Sequence, residues 1–358
     1  MKVSKIPGLG SYGSYIDDVD FAHITDEEWF EIGKHHLQGL VTILRNVNIT
    51  KDQFNERIRQ FGPFKGTRGS ISQFRTKYGK DFDPKIEGHF DKFNVDEKDR
   101  KYLEYKKHFA EKTEGGNFIT RISGIKDEDG NALGVFSSGE LHWHSNESSE
   151  ITFSPEVALL GGQHMTGSTT GFVQSVDAYN NFSESFRSEL DEMVVIHNYI
   201  PGGINDIELT DKDMGNMLQM EFCYHPDAEV PLVLTSPGGH KGLHYTTNTA
   251  TGIKGMSQTD SDKIFKIIDD AVFTNKYIYD HKYKTDNELL LFDNSVTLHR
   301  RKDPGHKDRC AYRLQYDPSN LLDSPWYPFN HLPEYAEKYK VQTHELIQTL
   351  NIQDFKLP

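Results

Sequence analysis

The stretch Gly139-Glu140-Leu141-His142-Trp143-His144-Ser145-Asn146-Glu147-Ser148 decides how the rest of the chain is read. It alternates as a β-strand does. His142, His144 and Asn146 recur at every second position, so an extended backbone puts all three on one face. Two imidazoles and an amide bring hydrogen-bonding atoms that a dry core would leave unsatisfied. They suit a metal centre better. A 2-His-1-carboxylate iron site takes a His-x-carboxylate pair from one strand and a second histidine from a distant one. His144-Ser145-Asn146 departs from that pattern by one atom type, with an amide where the carboxylate is expected. The plain alternative is a polar strand at a sheet edge.

The chain around this stretch has 358 residues, 35% hydrophobic and 26% charged, which fits a globular protein with an ample core. Forty basic against 54 acidic side chains leave a net charge of −14, which argues against nucleic acid or an anionic membrane as the main partner. A small anion held by a local arginine pair stays compatible. Two cysteines, Cys223 and Cys310, are too few for a disulfide framework, so a cytoplasmic location is expected. Residues 1–15 lack an apolar core of the signal-peptide kind, and no run of about 18 apolar residues occurs.

In chain order, residues 1–20 are rich in Gly and Asp and are expected to lie loosely over the surface. Thr25 followed by Glu28 marks a helix start, with Trp29, Ile32, His36 and Leu37 facing inward. A short buried strand follows at 40–44, then a helix that opens at Thr50 and closes at Gly62-Pro63. Residues 64–115 read as an insertion or lid, with a helix expected over 91–112. Strands are expected at 117–123, 133–136, 157–162, 171–173, 194–200, 231–235, 277–283, 288–292 and 309–316. Helical periodicity covers 175–193 and, most clearly, 259–273, where Ile264, Ile267, Ile268, Ala271 and Val272 share a face. Residues 205–223 read as loop with a short helix, and the tail after 324 as aromatic and then helical. Many short strands with a few helices predict a mixed, mainly β fold, a barrel or double-sheet jelly roll with flanking helices, in a single domain over 1–358.

A second metal-binding histidine must come from elsewhere. His299 stands at the mouth of the apolar run Leu289-Leu290-Leu291-Phe292, beyond the polar turn Asp293-Asn294-Ser295. Downstream, Arg309 and Arg313 are four apart on a predicted strand and point the same way. Two guanidiniums on one face need anions, and a bidentate pair would fix a dicarboxylate. An ordinary surface pair beside acidic neighbours is the bland reading.

Taken together, these segments resemble the taurine dioxygenase family of Fe(II)/2-oxoglutarate-dependent oxygenases. The likeness runs through Gln38-Gly39-Leu40-Val41, Phe61-Gly62-Pro63, Trp143-His144-Ser145-Asn146, Pro231-Leu232-Val233, Gly255-Met256-Ser257 and the approach from His281 through Asp293-Asn294 to His299. It implies a double-stranded β-helix and the cofactors Fe(II), 2-oxoglutarate and O2. It implies oxidative decarboxylation of 2-oxoglutarate coupled to hydroxylation of an unactivated C–H in a small molecule. It implies His144 and His299 as metal ligands, with Asn146 at the third ligand position. Thr170 and Arg309 fall where the family holds 2-oxoglutarate, and Arg313 where a second arginine faces substrate or supports that carboxylate. The His299-to-Arg309 spacing is one residue shorter than the family pattern, which leaves the two arginine roles exchangeable. Glu140 falls at a substrate-contacting position and favours an amine or amino acid, while Leu234 and Ser236 speak against a taurine-like sulfonate. A homo-oligomer is compatible with all of this.

Asn146 leaves several readings open. It could ligate through its oxygen with hydroxylation retained. It could leave the position to water or halide, the arrangement of a 2-oxoglutarate-dependent halogenase. Glu147, Glu150 or His142 could supply the missing ligand. A non-catalytic jelly-roll binding protein is the remaining alternative.

Overall fold

Leu289–Asp293, apolar on both faces, is buried along its whole length at the centre of a seven-stranded sheet in the computed structural model. The structure describes residues 1–64, 78–79, 81–83, 86–97, 99–100, 119–126, 128, 133–134, 136, 139–146, 148, 154–197, 228–247, 249–324 and 326. The strands are β1 (Lys2–Lys5), β2 (Ser14–Asp17), β3 (Val41–Leu44), β4 (Thr120–Ser123), β5 (Leu141–His144), β6 (Glu156–Gln163), β7 (Thr169–Gln174) and β8 (Val194–His197). They continue as β9 (Ala228–Pro231), β10 (Val233–Thr235), β11 (Lys241–Leu243), β12 (Ala250–Ile253), β13 (Ile278–Lys282), β14 (Leu289–Asp293), β15 (Thr297–Arg301) and β16 (Cys310–Tyr316). The large sheet runs β1-β2-β3-β14-β6-β16-β4, and a second sheet runs β13-β7-β15-β5. Two small sheets, β12-β8-β9 and β10-β11, complete a mainly β architecture with several helices.

Alternation along each strand sorts side chains into layers. Leu289 and Leu291 of β14 pack under the helices Asp26–Gly39 and Lys51–Phe61, while Leu290 and Phe292 face the second sheet. From that sheet Phe172 meets Phe292 with ring centroids 5.2 Å apart, and Val173 and Leu298 point the other way, into a cluster with helix Gln258–Val272. His299, next to Leu298, therefore faces inward, and its ring lies 4.8 Å from that of Phe292. On β16, Ala311 belongs to the layer between the sheets and Leu314 and Tyr316 to the helix layer.

Both N-terminal helices start as their sequences predict. Thr25 with Glu28 and Thr50 with Gln53 form capping boxes. Trp29, Ile32, His36 and Leu37 are buried, and Trp29 stacks on Phe61 at 4.7 Å. Other expectations are corrected. Residues 1–20 are not loose, because β1 pairs with β2, β2 runs parallel to β3, and Ile6, Leu9 and Ile16 are fully buried. The 175–193 helix is two helices, Val176–Asn181 and Glu184–Asp191, because Phe182 turns extended and Ser183 caps the second. The 231–235 strand breaks at Leu232 into β9 and β10. In helix Gln258–Val272 the buried stripe is Ser261, Phe265, Ile268 and Val272, with Ile267 44% exposed. Stacking of Phe265 on Tyr245 at 5.0 Å sets that rotation. Leu133, Gly134 and Phe136 are not in a strand. β15 is a strand for which the sequence pattern carries no expectation, since only the turn at Asp293-Asn294-Ser295 is read there. The expected helix at 91–112 lies mostly outside the described residues, where His89–Lys92 is a single turn. The expectations for 205–223 and for the tail beyond 326 also lie outside them. Among the described residues no helix is long and apolar enough to cross a membrane.

The interior also holds polar pairs. His36 Nε2 lies 2.8 Å from Glu156 Oε2, both fully enclosed. Burial pulls His36 down to about 3 and pushes Glu156 well up, so a carboxylic acid donates to a neutral imidazole rather than forming an ion pair. Burial likewise lowers His197 to about 3 and His244 to about 4. Unfolded, these histidines titrate near 6.5. Their folded values are depressed, so below 6.5 the unfolded chain binds protons first. The stability they contribute is complete above that pH and is lost as pH falls toward 3–4. Each adds a slope of up to about 1.36 kcal/mol per pH unit. His197→Asn should flatten the acid limb of the urea midpoint measured against pH. An acid limb as steep as the wild type's would show that His197 is already protonated in the fold.

Candidate metal centre

β5 and β15 are antiparallel neighbours, and their register sets His144 directly opposite His299. The two rings have centroids 4.1 Å apart at 46°. Trp143, one residue earlier, points to the other face, where it stacks on Phe273 at 5.9 Å beneath the Arg300 guanidinium. The strand ends at His144, and Asn146 is carried inward by the following turn rather than by strand alternation. His142 is exposed, and its carbonyl accepts a hydrogen bond from His144 Nδ1–H at 2.7 Å. That bond fixes the tautomer and leaves the His144 Nε2 lone pair for a ligand bond. Nδ1 of His299 is buried without a partner among the described residues. Burial lowers His144 to about 4, opposed by the bond to His142 and helped by the charges of Arg313 and Arg301. Burial also holds His299 well below its usual value, with His144 and Arg313 adding to the effect. Both imidazoles are thus neutral at neutral pH, the form a metal binds.

Asn146 is 6% exposed and pinned at its backbone. Its N–H donates to Asn294 Oδ1 at 2.8 Å, and Asn294 Nδ2 donates to the Asn146 carbonyl at 2.9 Å and the Ser154 carbonyl at 2.8 Å. Arg313 Nη1 donates to Asn146 Oδ1 at 3.0 Å. Among the described residues the buried Asn146 amide nitrogen has no partner. Asn294→Ala would orphan three buried backbone groups, each worth about 1–3 kcal/mol when left unsatisfied. The expected loss is about 3 kcal/mol in urea unfolding. A loss below about 1 kcal/mol would show that water replaces the clamp.

A second group of residues lies deeper. Thr170 on β7 has its hydroxyl 3.3 Å from that of Tyr283, both buried. Arg309, 2% exposed, acts on Tyr283 electrostatically and donates from Nη2 to the Phe136 carbonyl at 2.8 Å. Arg301 donates to the same carbonyl from Nη1 at 2.9 Å and to the Gly139 carbonyl from Nε at 3.1 Å. Phe136 and Gly139 both have positive φ, 55° and 78°, and neither lies in a strand, so their carbonyls are free to accept from the two arginines. Burial pulls Arg301 down to about 9, with Arg309 adding to it, and Arg309 down to about 10. Both remain cations at neutral pH, and Arg309 Nε is buried without a partner among the described residues. Arg309 precedes β16, whose register against β6 shifts between Cys310 and Ala311, so the two arginines do not repeat along one regular strand face. Glu140 is exposed just ahead of β5.

The sequence reading named Asp293-Asn294 only as an approach to His299, and it missed the Asn294 clamp, Tyr283 and Arg301. Among the described residues no group of three or more His, Cys, Asp or Glu could hold a metal. The two facing imidazoles nevertheless fit an imidazole-binding ion such as Fe(II), with an amide in the place of an acid.

The sequence pattern of the Taurine catabolism dioxygenase TauD, TfdA family matches residues 3–315, and the chain belongs to that family. Enzymes of this family are Fe(II)/2-oxoglutarate-dependent dioxygenases, oxidoreductases whose cofactors are Fe(II), 2-oxoglutarate and O2. No curated protein sequence matches the chain. Among solved structures, AAD-2 in complex with Mn(II) and N-oxalylglycine is 18% identical, with a TM-score of 0.61 over 88% of this chain and 96% of that one. A taurine dioxygenase from Burkholderia xenovorans is 16% identical, with a TM-score of 0.57 over 88% of this chain and 90% of its own. At these identities the likeness speaks for the fold.

Proposed function

We propose that the protein couples oxidative decarboxylation of 2-oxoglutarate to hydroxylation of an unactivated C–H in a small molecule, with His144 and His299 holding the iron. The observation that carries this reading is the direct opposition of two neutral imidazoles across β5 and β15. The two facing sheets read as a double-stranded β-helix, residues 1–358 as one catalytic unit, and 64–115 as its cover. Bound Fe(II), with 2-oxoglutarate and O2, would supply the oxidising step. The chain's own part is to bind, orient and exclude water.

The arginine roles separate by position. Arg309, with Thr170 reached through Tyr283, is placed to hold the far carboxylate of 2-oxoglutarate, as a buried guanidinium with spare N–H capacity. Arg313 bears on both histidines and on Asn146, so it serves the metal end and the substrate. The exposed carboxylate of Glu140 at the mouth of β5 favours an amine-bearing substrate such as an amino acid. Succinate release from 2-oxoglutarate, screened across amino acids and small amines, tests the reading. One amine should raise succinate above the substrate-free rate. A screen in which only acids or neutral molecules do so would remove the role of Glu140, and no succinate under any condition would favour a non-catalytic binding protein.

A further inference from the structure

We propose that Asn146 is a hydrogen-bond donor facing the metal position rather than a metal ligand, so that the third ligand is a small monovalent anion from solution. The proposal rests on the reading above that His144 and His299 hold the metal. Its first support is chemical. Arg313 is donor-only, so the amide atom it meets at 3.0 Å is the oxygen. The other end is then an NH2 group, which has no lone pair to give a metal. Its second support is burial. That nitrogen is enclosed with no partner among the described residues, in a residue only 6% exposed, and an orphaned donor at such a depth calls for an acceptor.

The third support is mechanical. The two-way clamp between Asn146 and Asn294 fixes the backbone, so the side chain cannot exchange its ends without breaking with Arg313. Ligation through the oxygen would also set a divalent cation and a guanidinium against the same neutral atom. An anion beside the metal removes that conflict. It accepts from the Asn146 NH2, it lies near the Arg313 charge, and it offsets the metal charge that two neutral imidazoles leave uncompensated. The amide-for-carboxylate change thus reads as an exchange of a fixed protein anion for a bound one.

The experiment uses the full chain, anaerobically, with Co(II) as the metal probe and sodium azide as the anion probe at constant ionic strength. Co(II) affinity is read by calorimetry and azide affinity from the cobalt visible spectrum, for the wild type, Asn146→Ala and Asn146→Asp. Asn146→Ala should leave Co(II) affinity within threefold and weaken azide at least fivefold. Asn146→Asp should tighten Co(II) by about tenfold or more, because it gives the metal an anionic oxygen, and abolish the azide response. Replacing azide with chloride shows whether halide fills the same position. A tenfold or larger loss of Co(II) affinity in Asn146→Ala, with circular dichroism unchanged, would make Asn146 a ligand and overturn the proposal. Azide affinity equal in Asn146→Ala and wild type would overturn it as well. If the wild type binds no Co(II) at all, the two-histidine reading itself falls.

Discussion

His299→Ala is expected to weaken metal binding by about 100-fold or more and to stop succinate formation at any concentration of 2-oxoglutarate. The effect is large because, among the described residues, the cluster offers the metal only two imidazoles, Glu147 and Glu150 lying outside them. His144 and His299 face each other across paired strands, and the remaining side chain beside them is a neutral amide whose oxygen is held by Arg313. Losing one histidine leaves His144 to hold the metal alone. The variant also opens a cavity next to Phe292 and costs some stability, so thermal unfolding of the apo-protein is compared first. The decisive quantity is Co(II) or Fe(II) affinity under anaerobic conditions. Affinity within threefold of the wild type would place the metal elsewhere.

The second large effect is expected at Arg309. Truncating one partner of a buried charge pair costs about 2–5 kcal/mol, which corresponds to roughly 30-fold or more in affinity. Arg309→Leu should therefore raise the KM for 2-oxoglutarate by at least that factor while leaving Co(II) affinity close to wild type. Arg309→Lys keeps the charge but loses the planar fork, and should fall between the two. Arg313→Leu should show the opposite split, disturbing the metal end first, because Arg313 touches Asn146 and acts on both histidines. If Arg313→Leu rather than Arg309→Leu carries the KM effect, the two arginines exchange roles.

The sequence disclosed the parts whose signal is local. The capping boxes at Thr25 and Thr50, the apolar run of β14 and the His-x-Asn element were all readable, because each is written within a few residues. The N-terminal hairpin was not, since four-residue strands leave too little periodicity and Ile6, Leu9 and Ile16 are scattered among Gly and Asp. The break at Phe182 was hidden by an apolar spacing that continued across it, while the Ser183 cap was the signal that could have revealed it. At the candidate site, His144 and His299 were legible as candidates, and the structure sets them opposite each other, but the residues around them were not legible. Asn294, Tyr283 and Arg301 act through contacts between segments far apart in the chain, such as Asn146 with Asn294, and no spacing rule reports those. Phe136 lies outside any strand for a reason of the same kind, because its carbonyl accepts from Arg301 of β15 and from Arg309 just before β16.

The most direct measurement is anaerobic absorption of the purified protein with Fe(II) and 2-oxoglutarate, wild type beside His299→Ala. Iron held by His144 and His299 and chelated by 2-oxoglutarate should give the wild type a weak visible charge-transfer band that the variant lacks. A wild-type spectrum without that band at saturating iron and 2-oxoglutarate, or an equal band in His299→Ala, would contradict the account.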